Sequence, residues 1–266
     1  RSLLYHSISK FNTELLEKIL NDPKFDSMKS DILKCFIMLY NTNNSINSPI
    51  PILNQLLEYD KQHDHLIDFT KLLPNGKSFF TNKDKYGVSE YDEEICNLFL
   101  ENGCDPNEPD KDGVYPLQYA ISIKSNGFIR SIINSEKVNL TKLIPYKNNL
   151  FYAYDTTSNC PNRKLPKQTT YLHLAAGVCS SGIFNLFLDT DGIDVNVQDD
   201  LGETPLMTAC RFNNTENINL LSQNKDLDYL HCNNDGNDAA KIINITSEDK
   251  EKKKYMQRLV NNLNDR

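Results

Sequence analysis

The chain lacks the sequence signatures of membrane proteins, secreted proteins and the common enzyme classes. No apolar run approaches the roughly 20 residues of a membrane-spanning helix, and no signal peptide is visible. There is no glycine-rich phosphate-binding or dinucleotide-binding loop, no H-E-x-x-H zinc motif and no G-x-S-x-G nucleophile motif. We therefore predict no membrane span and expect the protein not to be an enzyme.

Cysteines are present but never closely spaced. All seven stand alone, with no C-x-x-C pair, and an odd number without a disulfide framework favours a reducing compartment. We predict a cytoplasmic or nuclear protein. His63-x-His65 has a spacing seen in metal sites, but no further ligand group accompanies it, so we interpret it as a solvated loop and predict no metal and no cofactor. The cysteines are Cys35, Cys96, Cys104, Cys160, Cys179, Cys210 and Cys232.

The chain also lacks an excess of positive charge. Its formal net charge is −7 at pH 7. A general nucleic-acid binder needs basic surface to release counterions from phosphates, so this balance argues against nucleic acid as a partner. It favours a basic protein partner instead.

The chain does contain an internal sequence repeat. The letters T-T-Y-L-H-L-A-A at 169–176 align with E-T-P-L-M-T-A-C at 203–210, and Leu206 follows the matching Leu172 by 34 residues. That period is the length of a helix-turn-helix unit. Stacked units of this kind form an extended surface for holding another molecule, and they are seldom catalysts by themselves.

The letters G-E-T-P-L at 202–206 resemble the start of an ankyrin repeat, whose pattern is G-x-T-P-L-H-x-A-A, then V-x-x-L-L on a second helix, then G-A-D-V-N. In that pattern the Thr hydroxyl caps a helix and Pro occupies its first turn without losing a hydrogen bond. A further start reads D-G-V-Y-P-L at 112–117. Exits read G-C-D-P-N at 103–107 and G-I-D-V-N at 192–196.

This resemblance implies an all-α ankyrin-repeat solenoid of about six to seven stacked helix-turn-helix repeats with finger loops. A single array over 1–266 is expected, and the chain is expected to be a fragment of a longer protein. It lacks an initiator Met and begins just after the Gly position of a repeat. The approximate repeats are 1–27, 28–65, 66–107, 108–140, 166–197, 198–230 and a cap at 231–266.

Two segments depart from the repeat length. An insertion at about 141–166 contains Phe151, Tyr152 and Tyr154, which suit either a binding loop or an insert whose aromatics are tucked onto the array. A second, at about 61–90, includes Pro74-Asn75-Gly76, and we expect it to replace or extend the first helix of the third repeat.

Acidic residues cluster at the repeat starts. Asp110 and Asp199 occupy the position where the family uses Asp to tie the turn backbone. Asp112, Asp200 and Glu203 are expected to be freer to meet a partner.

A catalytic pair is conceivable but not favoured. His173 fills the His position of its repeat, where the resemblance implies that the ring bonds to the backbone of the adjacent turn. Cys179 lies near the turn between the two helices, where a small residue is expected. We interpret both as structural.

The resemblance implies a module that binds a protein partner through its concave face and fingers. The alternative is an intramolecular regulatory or scaffolding array for a catalytic domain elsewhere in the full-length protein, and an enzyme hidden in the insertions is a third reading. The predicted partner-binding residues are Tyr115, Tyr119, Ile123, Asp112, Arg211, Phe212, Asp200, Glu203, Phe151, Tyr152 and Tyr154.

Overall fold

The protein is represented by a computed structural model. It describes residues 2–25, 32–41, 47–63, 67–84, 88–151 and 164–246, with the isolated helical residues 250, 253–254 and 257–258. Most of the C-terminal end of the predicted cap, residues 247–249, 251–252, 255–256 and 259–266, lies outside the described residues. Among the described residues, no helix combines the length and apolar character needed to cross a bilayer.

The regular secondary structure of the described chain consists almost entirely of short helices, most of them in consecutive pairs. The elements are α1 (Ser2–Ser9), α2 (Thr13–Leu20), α3 (Ile32–Tyr40), α4 (Ile50–Gln62), α5 (Asp92–Glu101), α6 (Pro116–Ser122), α7 (Asn126–Asn134), β1 (Ile144–Pro145), α8 (Asn148–Phe151), β2 (Gln168–Thr169), α9 (Tyr171–Val178), α10 (Ser181–Leu188), α11 (Pro205–Arg211), α12 (Thr215–Ser222) and α13 (Ala239–Thr246). First helices pack on first helices (α6, α9, α11 and α13) and second helices on second helices (α5, α7, α10 and α12).

The helix starts follow the predicted chemistry. The Thr170 and Thr204 hydroxyl oxygens accept backbone N–H groups at the starts of α9 and α11, while Pro205 occupies the first position of α11. The matched leucines, Leu172 and Leu206, are buried. Capping provides acceptors for the backbone N–H groups of the first turn, which have no partner within the helix. The buried leucines pack between neighbouring repeats. The predicted register is therefore confirmed here.

The finger turns are the loops that precede the first helices, and in each of the two turns described here one aspartate side chain holds the backbone by hydrogen bonds. Asp110 Oδ1 accepts the backbone N–H groups of Asp112 and Val114, and Asp199 makes the equivalent pair of bonds in its own turn. Gly113 has φ +72°, a conformation that glycine adopts without steric cost. The structural role predicted for Asp110 and Asp199 is confirmed.

The described part of the segment 61–90 holds another finger turn. The Leu73 N–H donates to the Lys77 carbonyl, and Gly76 has φ +80°. Ser78 and Thr81 then cap one another through backbone and hydroxyl bonds. A finger and a single capped turn thus stand before α5 where a first helix would be expected, and Pro74-Asn75-Gly76, which we had assigned to the insertion, belongs to the finger.

A buried ion pair anchors this irregular segment. The Lys83 ammonium lies 3.0 Å from Asp92 Oδ1 and donates to the Tyr40 carbonyl at 2.6 Å, with both charged side chains at most 1% exposed. Asp92 also accepts hydrogen bonds from Ser89 and from the Ser125 hydroxyl. Burial lowers the pKa of the Lys83 ammonium, and the adjacent Asp92 carboxylate opposes that shift. The pair links three successive repeats.

The insertion leaves the array through a minimal β-ribbon. β1 and β2 pair antiparallel, with Ile144 opposite Thr169, and the Tyr146 N–H donates to the Lys167 carbonyl at 2.9 Å. The ribbon takes the place of a finger turn ahead of α9, so both ends of the insertion are held beside the first helices.

Two glycines at equivalent places in neighbouring second helices provide a test of close packing. A Cβ on Gly127 in α7 would lie 2.5 Å from the backbone nitrogen of Glu93, whereas a Cβ on Gly182 in α10 would meet nothing within 4 Å. We expect Gly127→Ala to lower the free energy of unfolding by about 1–3 kcal/mol, since α5 must move. Gly182→Ala should be neutral or stabilising by up to about 1 kcal/mol. Urea denaturation of both variants measures the difference, and equal effects would contradict the close approach of α5 and α7.

Candidate binding surface on the first helices

A groove runs between the first helices α9 and α11 and the two ends of the insertion. Helix α9 contributes apolar side chains, and the C-terminal end of α11 contributes an arginine and an aromatic ring. The insertion closes one side with Tyr146, Phe151 and Pro166. The remaining principal wall residues are Leu174, Val178, Thr208, Arg211 and Phe212.

Glu203 is not available to a partner, which corrects our prediction. Its side chain is buried and its carboxylate accepts hydrogen bonds from Arg211 Nε at 3.1 Å and from Arg211 Nη2. The Asn233 amide of the next finger also donates to it, at 3.2 Å. A buried carboxylate requires such partners because its desolvation is costly. Glu203 therefore fixes the arginine on the groove wall.

Arg211 and Phe212 lie next to each other on the groove and both stay partly exposed, the Arg211 side chain to 15%. A Cβ placed on Gly177 of α9 would lie only 3.1 Å from the Phe212 ring, so the absence of a side chain there lets the ring pack closely on α9. One residue is thus held by an ion pair and the other by ring packing. Arg211 and Phe212 are therefore both partly exposed and fixed in place.

Asp112 and Asp200 are exposed, but both are already engaged. Asp112 pairs with the Lys77 ammonium at 2.7 Å, and this hydrogen bond lowers the pKa of the Asp112 carboxyl. Asp200 accepts the N–H groups of Lys167 at 3.0 Å and Gln168 at 3.3 Å, which holds β2 in place. The expectation that these carboxylates are free needs this correction, because they organise the fingers.

Tyr115, Tyr119 and Ile123 belong to α6 and its flanks, and all three are half-buried. The Tyr119 hydroxyl donates to the Lys83 carbonyl at 2.6 Å, and burial raises the pKa of this tyrosine. The Lys142 ammonium lies 4.7 Å from the centre of the Tyr115 ring, within range of a cation–π contact. Tyr119 is therefore a structural tie as well as a surface residue.

The aromatic residues of the insertion do not form an exposed cluster at Phe151. That side chain is fully buried and stacks on Tyr146, with ring centres 5.9 Å apart. Burial removes the apolar surface of Phe151 from water, so this residue is not free to contact a partner. Of our two interpretations of the insertion, Phe151 agrees with the one in which the aromatic residues pack onto the array. Tyr152 and Tyr154 lie outside the described residues.

His173 is structural, as predicted. Its Nε2 lies 2.8 Å from the Glu203 carbonyl of the next repeat and its Nδ1 lies 2.8 Å from the Thr170 hydroxyl. Burial lowers the pKa of His173 to about 4, and burial also raises the pKa of the Cys179 thiol to about 12. The two residues lie at opposite ends of α9, about 9 Å apart at helical rise. An activated thiol needs a lowered pKa, so this pair does not form a nucleophilic site.

The predicted loop around His63 contains no metal-binding group in the described chain. The His63 ring stacks on Tyr59 at 3.9 Å and its Nδ1 lies 2.7 Å from the Tyr59 carbonyl, while His65 lies outside the described residues. Over the described ranges, no cluster of three His, Cys, Asp or Glu side chains has the arrangement of a metal site.

Comparison with known proteins agrees with the geometry of these repeats. Residues 172–246 match the family described as ankyrin repeats, in three copies. This part of the chain belongs to the ankyrin-repeat family. A fowlpox virus (strain NVSL) protein named as an ankyrin repeat protein is 23% identical over 195 residues. A Dictyostelium discoideum protein named as a probable serine/threonine-protein kinase is 30% identical over 135 residues.

The ankyrin array corresponds to only a small part of these relatives. The alignments cover 70% and 51% of this chain but 22% and 13% of the viral and Dictyostelium proteins. A solved chain from the complex of a Bdellovibrio bacteriovorus predatory endopeptidase with an immunity protein has a TM-score of 0.58 and 14% identity. It covers 85% of this chain and 96% of its own length. This likeness shows the fold.

Sequence reasoning missed several residues that shape the ankyrin surface. Asn233 supports Glu203 and ties its own finger through the Asp235 and Asn237 N–H groups. The sequence could have predicted this role, because Asn233 follows Asp199 by one repeat period of 34 residues. Tyr146 had no such signal, since it belongs to an insertion without a counterpart in the other repeats.

The buried histidine predicts a pH dependence of stability. Its folded pKa lies below its unfolded value of 6.5, so the unfolded chain binds more protons between about pH 6.5 and 4, and stability falls as pH drops through that window. The loss amounts to roughly 3 kcal/mol. His173→Gln should remove it, because Gln118 already fills the equivalent position and donates to the Pro145 carbonyl.

Denaturant titrations of the wild type and His173→Gln at several pH values measure this contribution as a difference. Burial raises the pKa of Asp199 to about 6, which acts in the opposite direction over part of the same window, but it does so in both proteins. Parallel stability–pH curves would contradict a neutral, buried His173.

Proposed function

We propose that this ankyrin array is a module that binds a protein partner through the groove between α9 and α11 and the neighbouring fingers. The observation that carries the proposal is the pair Arg211 and Phe212, partly exposed and fixed by Glu203 and Gly177. Arginine and aromatic residues supply a large share of interface energy, and prior fixing lowers the entropy cost of binding. A chain of similar fold comes from a complex that includes an immunity protein.

The chemistry of the partner is part of the same proposal. The net charge of −7 favours a basic protein over nucleic acid or an anionic membrane surface. We place the module in a reducing compartment, the cytoplasm or nucleus, which suits the six cysteines of the described residues, since none forms a disulfide with another of them. A non-catalytic role fits the engaged ring of His173 and the raised pKa of the buried thiols. Turnover by the purified chain in hydrolase assays would argue against that role.

The binding surface is tested by comparing two aromatic substitutions. A partner is first captured with the chain, identified by mass spectrometry and produced in pure form. Phe212→Ala should then weaken its binding by about tenfold or more in calorimetric titration. Tyr229→Ala, a half-buried aromatic after α12, should leave binding unchanged. Tyr119 stays intact, because its hydroxyl ties Lys83. Equal affinity of the wild type and Phe212→Ala would reject this surface.

A second candidate is an intramolecular role, in which the array regulates or positions a catalytic domain of the full-length protein. The observation in its favour is the relative named as a probable kinase, in which the aligned repeats form 13% of the length. In full-length protein, Phe212→Ala would then change enzymatic activity without any added partner. Unchanged activity would leave the intermolecular proposal as the better one.

A further inference from the structure

A second groove lies apart from the first helices, where the turns that leave two successive second helices meet. We call these segments exit turns: residues 135–141 after α7 and 189–196 after α10. The groove contains residues of the second helices and exit turns, and none from α6, α9 or α11. Its lining includes Ile133, Glu136, Val138, Asn139, Leu140, Leu186, Asp189, Asp191 and Ile193.

Elsewhere in the array, exit turns are joined by an asparagine. Asn107 Nδ2 donates to the Lys137 carbonyl at 2.7 Å, and Asn107 Oδ1 accepts the Asn139 N–H at 2.8 Å. Asn196 does the same one junction away, donating to the Asp226 carbonyl and accepting the Asp228 N–H. Each asparagine thus links its own exit turn to the next.

The asparagine link is missing at the junction that contains the groove. Asn139 is the next asparagine in this row, but its Oδ1 accepts the N–H and hydroxyl of Thr141 in its own turn. The Asn196 N–H, which the link would use, donates to Asp194. Within residues 133–141 and 186–196, all of which the structure describes, no hydrogen bond joins one exit turn to the other. The insertion separates these two turns in sequence.

The open groove has an apolar floor and an acidic rim. Val138, Leu186 and Ile193 are half-exposed and pack against the core. Three acidic side chains, Glu136, Asp189 and Asp191, stand exposed among the lining residues and form no ion pair with any described residue. Asp189 Oδ2 accepts one neutral hydrogen bond, from Asn185 Nδ2 of α10 at 2.7 Å. The lining contains no lysine or arginine.

The basic side chain next to Glu136 in sequence points away from the groove. Lys137 adjoins Glu136 in sequence, but its ammonium donates to the Leu100 carbonyl of the preceding repeat at 3.3 Å. The rim carboxylates therefore have no ion-pair partner among the described residues, Lys137 included. Half-exposed apolar side chains beside unopposed carboxylates favour a ligand that brings both apolar surface and positive charge.

We propose that this groove docks a basic segment of a partner protein, with an apolar side chain in the groove and lysine or arginine residues against Glu136, Asp189 and Asp191. The apolar side chain covers Val138, Leu186 and Ile193, and the flanking charges meet the rim. The site is separate from the α9–α11 surface, so its failure would leave the proposed function untouched.

The test uses a fluorescein-labelled peptide with a pair of central leucines flanked by arginines and lysines. Two matched peptides replace the leucines by serines or the basic residues by glutamates. Fluorescence anisotropy measures binding to the whole chain, and hydrogen exchange locates it. We expect the basic leucine peptide alone to bind and to slow exchange in 133–141 and 186–193.

Two triple variants distinguish the effect of where the charges lie from the effect of the overall net charge. Glu136→Lys, Asp189→Lys and Asp191→Lys together should weaken binding by about tenfold or more. Glu101→Lys, Glu108→Lys and Asp226→Lys change three exposed carboxylates outside the groove lining and alter the net charge equally. Affinity in this control should stay within about twofold of the wild type. Circular dichroism checks that both variants fold.

Several results would overturn the proposal. Equal losses in the two triple variants would mean that only overall charge matters, and equal binding of the serine peptide would remove the apolar contact. Preference for the glutamate peptide would reverse the charge argument. Protection confined to α9 and α11, or no binding by the basic leucine peptide, would reject the groove as its site.

Discussion

Replacing Asp92 by alanine should lower the free energy of unfolding by about 3–5 kcal/mol, the largest effect we expect from a single substitution in this array. The change leaves the Lys83 ammonium buried without its counter-ion and removes the acceptor of the Ser89 and Ser125 hydroxyls. A buried charge without a partner cannot recover the hydration that it lost. Chemical denaturation followed by circular dichroism measures the loss.

The matched control is Glu94→Ala, which removes an exposed carboxylate from the same first turn of α5. It should cost less than about 1 kcal/mol, because an exposed group at the helix start contributes mainly through the helix dipole. The combination Lys83→Met with Asp92→Asn should recover much of the loss, since no charge then stays buried. If Asp92→Ala costs no more than Glu94→Ala, the pair does not stabilise the segment before α5.

Truncating Leu206 to alanine should be the next most damaging change, at about 2–5 kcal/mol. The side chain is 1% exposed at the start of α11, which packs on both α9 and α13. Removal of its methyl groups loses their burial and leaves a cavity, because neighbouring repeats relax only in part. Urea denaturation at constant pH provides the measurement.

Leu230→Ala makes the same chemical change at a side chain that is 65% exposed. Its expected cost is below about 0.5 kcal/mol, because little apolar surface is buried there. Similar losses for Leu206→Ala and Leu230→Ala would show that the assigned repeat register does not describe the packing.

The sequence was sufficient for the parts of the fold that repeat. The match between Leu172 and Leu206 predicted the starts of α9 and α11, and the Asp position predicted the backbone ties of Asp110 and Asp199. These features depend on residues close in sequence, so a local pattern carries the information. The role of His173 followed from the family pattern for the same reason.

The exposure of the candidate site depends on contacts that no local pattern encodes. Glu203 is buried because Arg211 and Asn233 reach it from two different elements. Phe151 is buried because Tyr146 packs on it inside an insertion without a counterpart in other repeats. The Lys83–Asp92 pair gave no signal, because a lysine in an irregular segment is ordinarily solvated.

The absent asparagine link between the exit turns at Asn139 and Asn196 also bears on folding cooperativity. In a linear array, each repeat is stabilised by its own contacts and by those with its two neighbours. A junction without one of the regular links transmits less of that stabilisation. We therefore expect the repeats before and after the insertion to unfold less cooperatively than repeats joined by an asparagine link, and a ligand that spans the junction would make their unfolding more concerted.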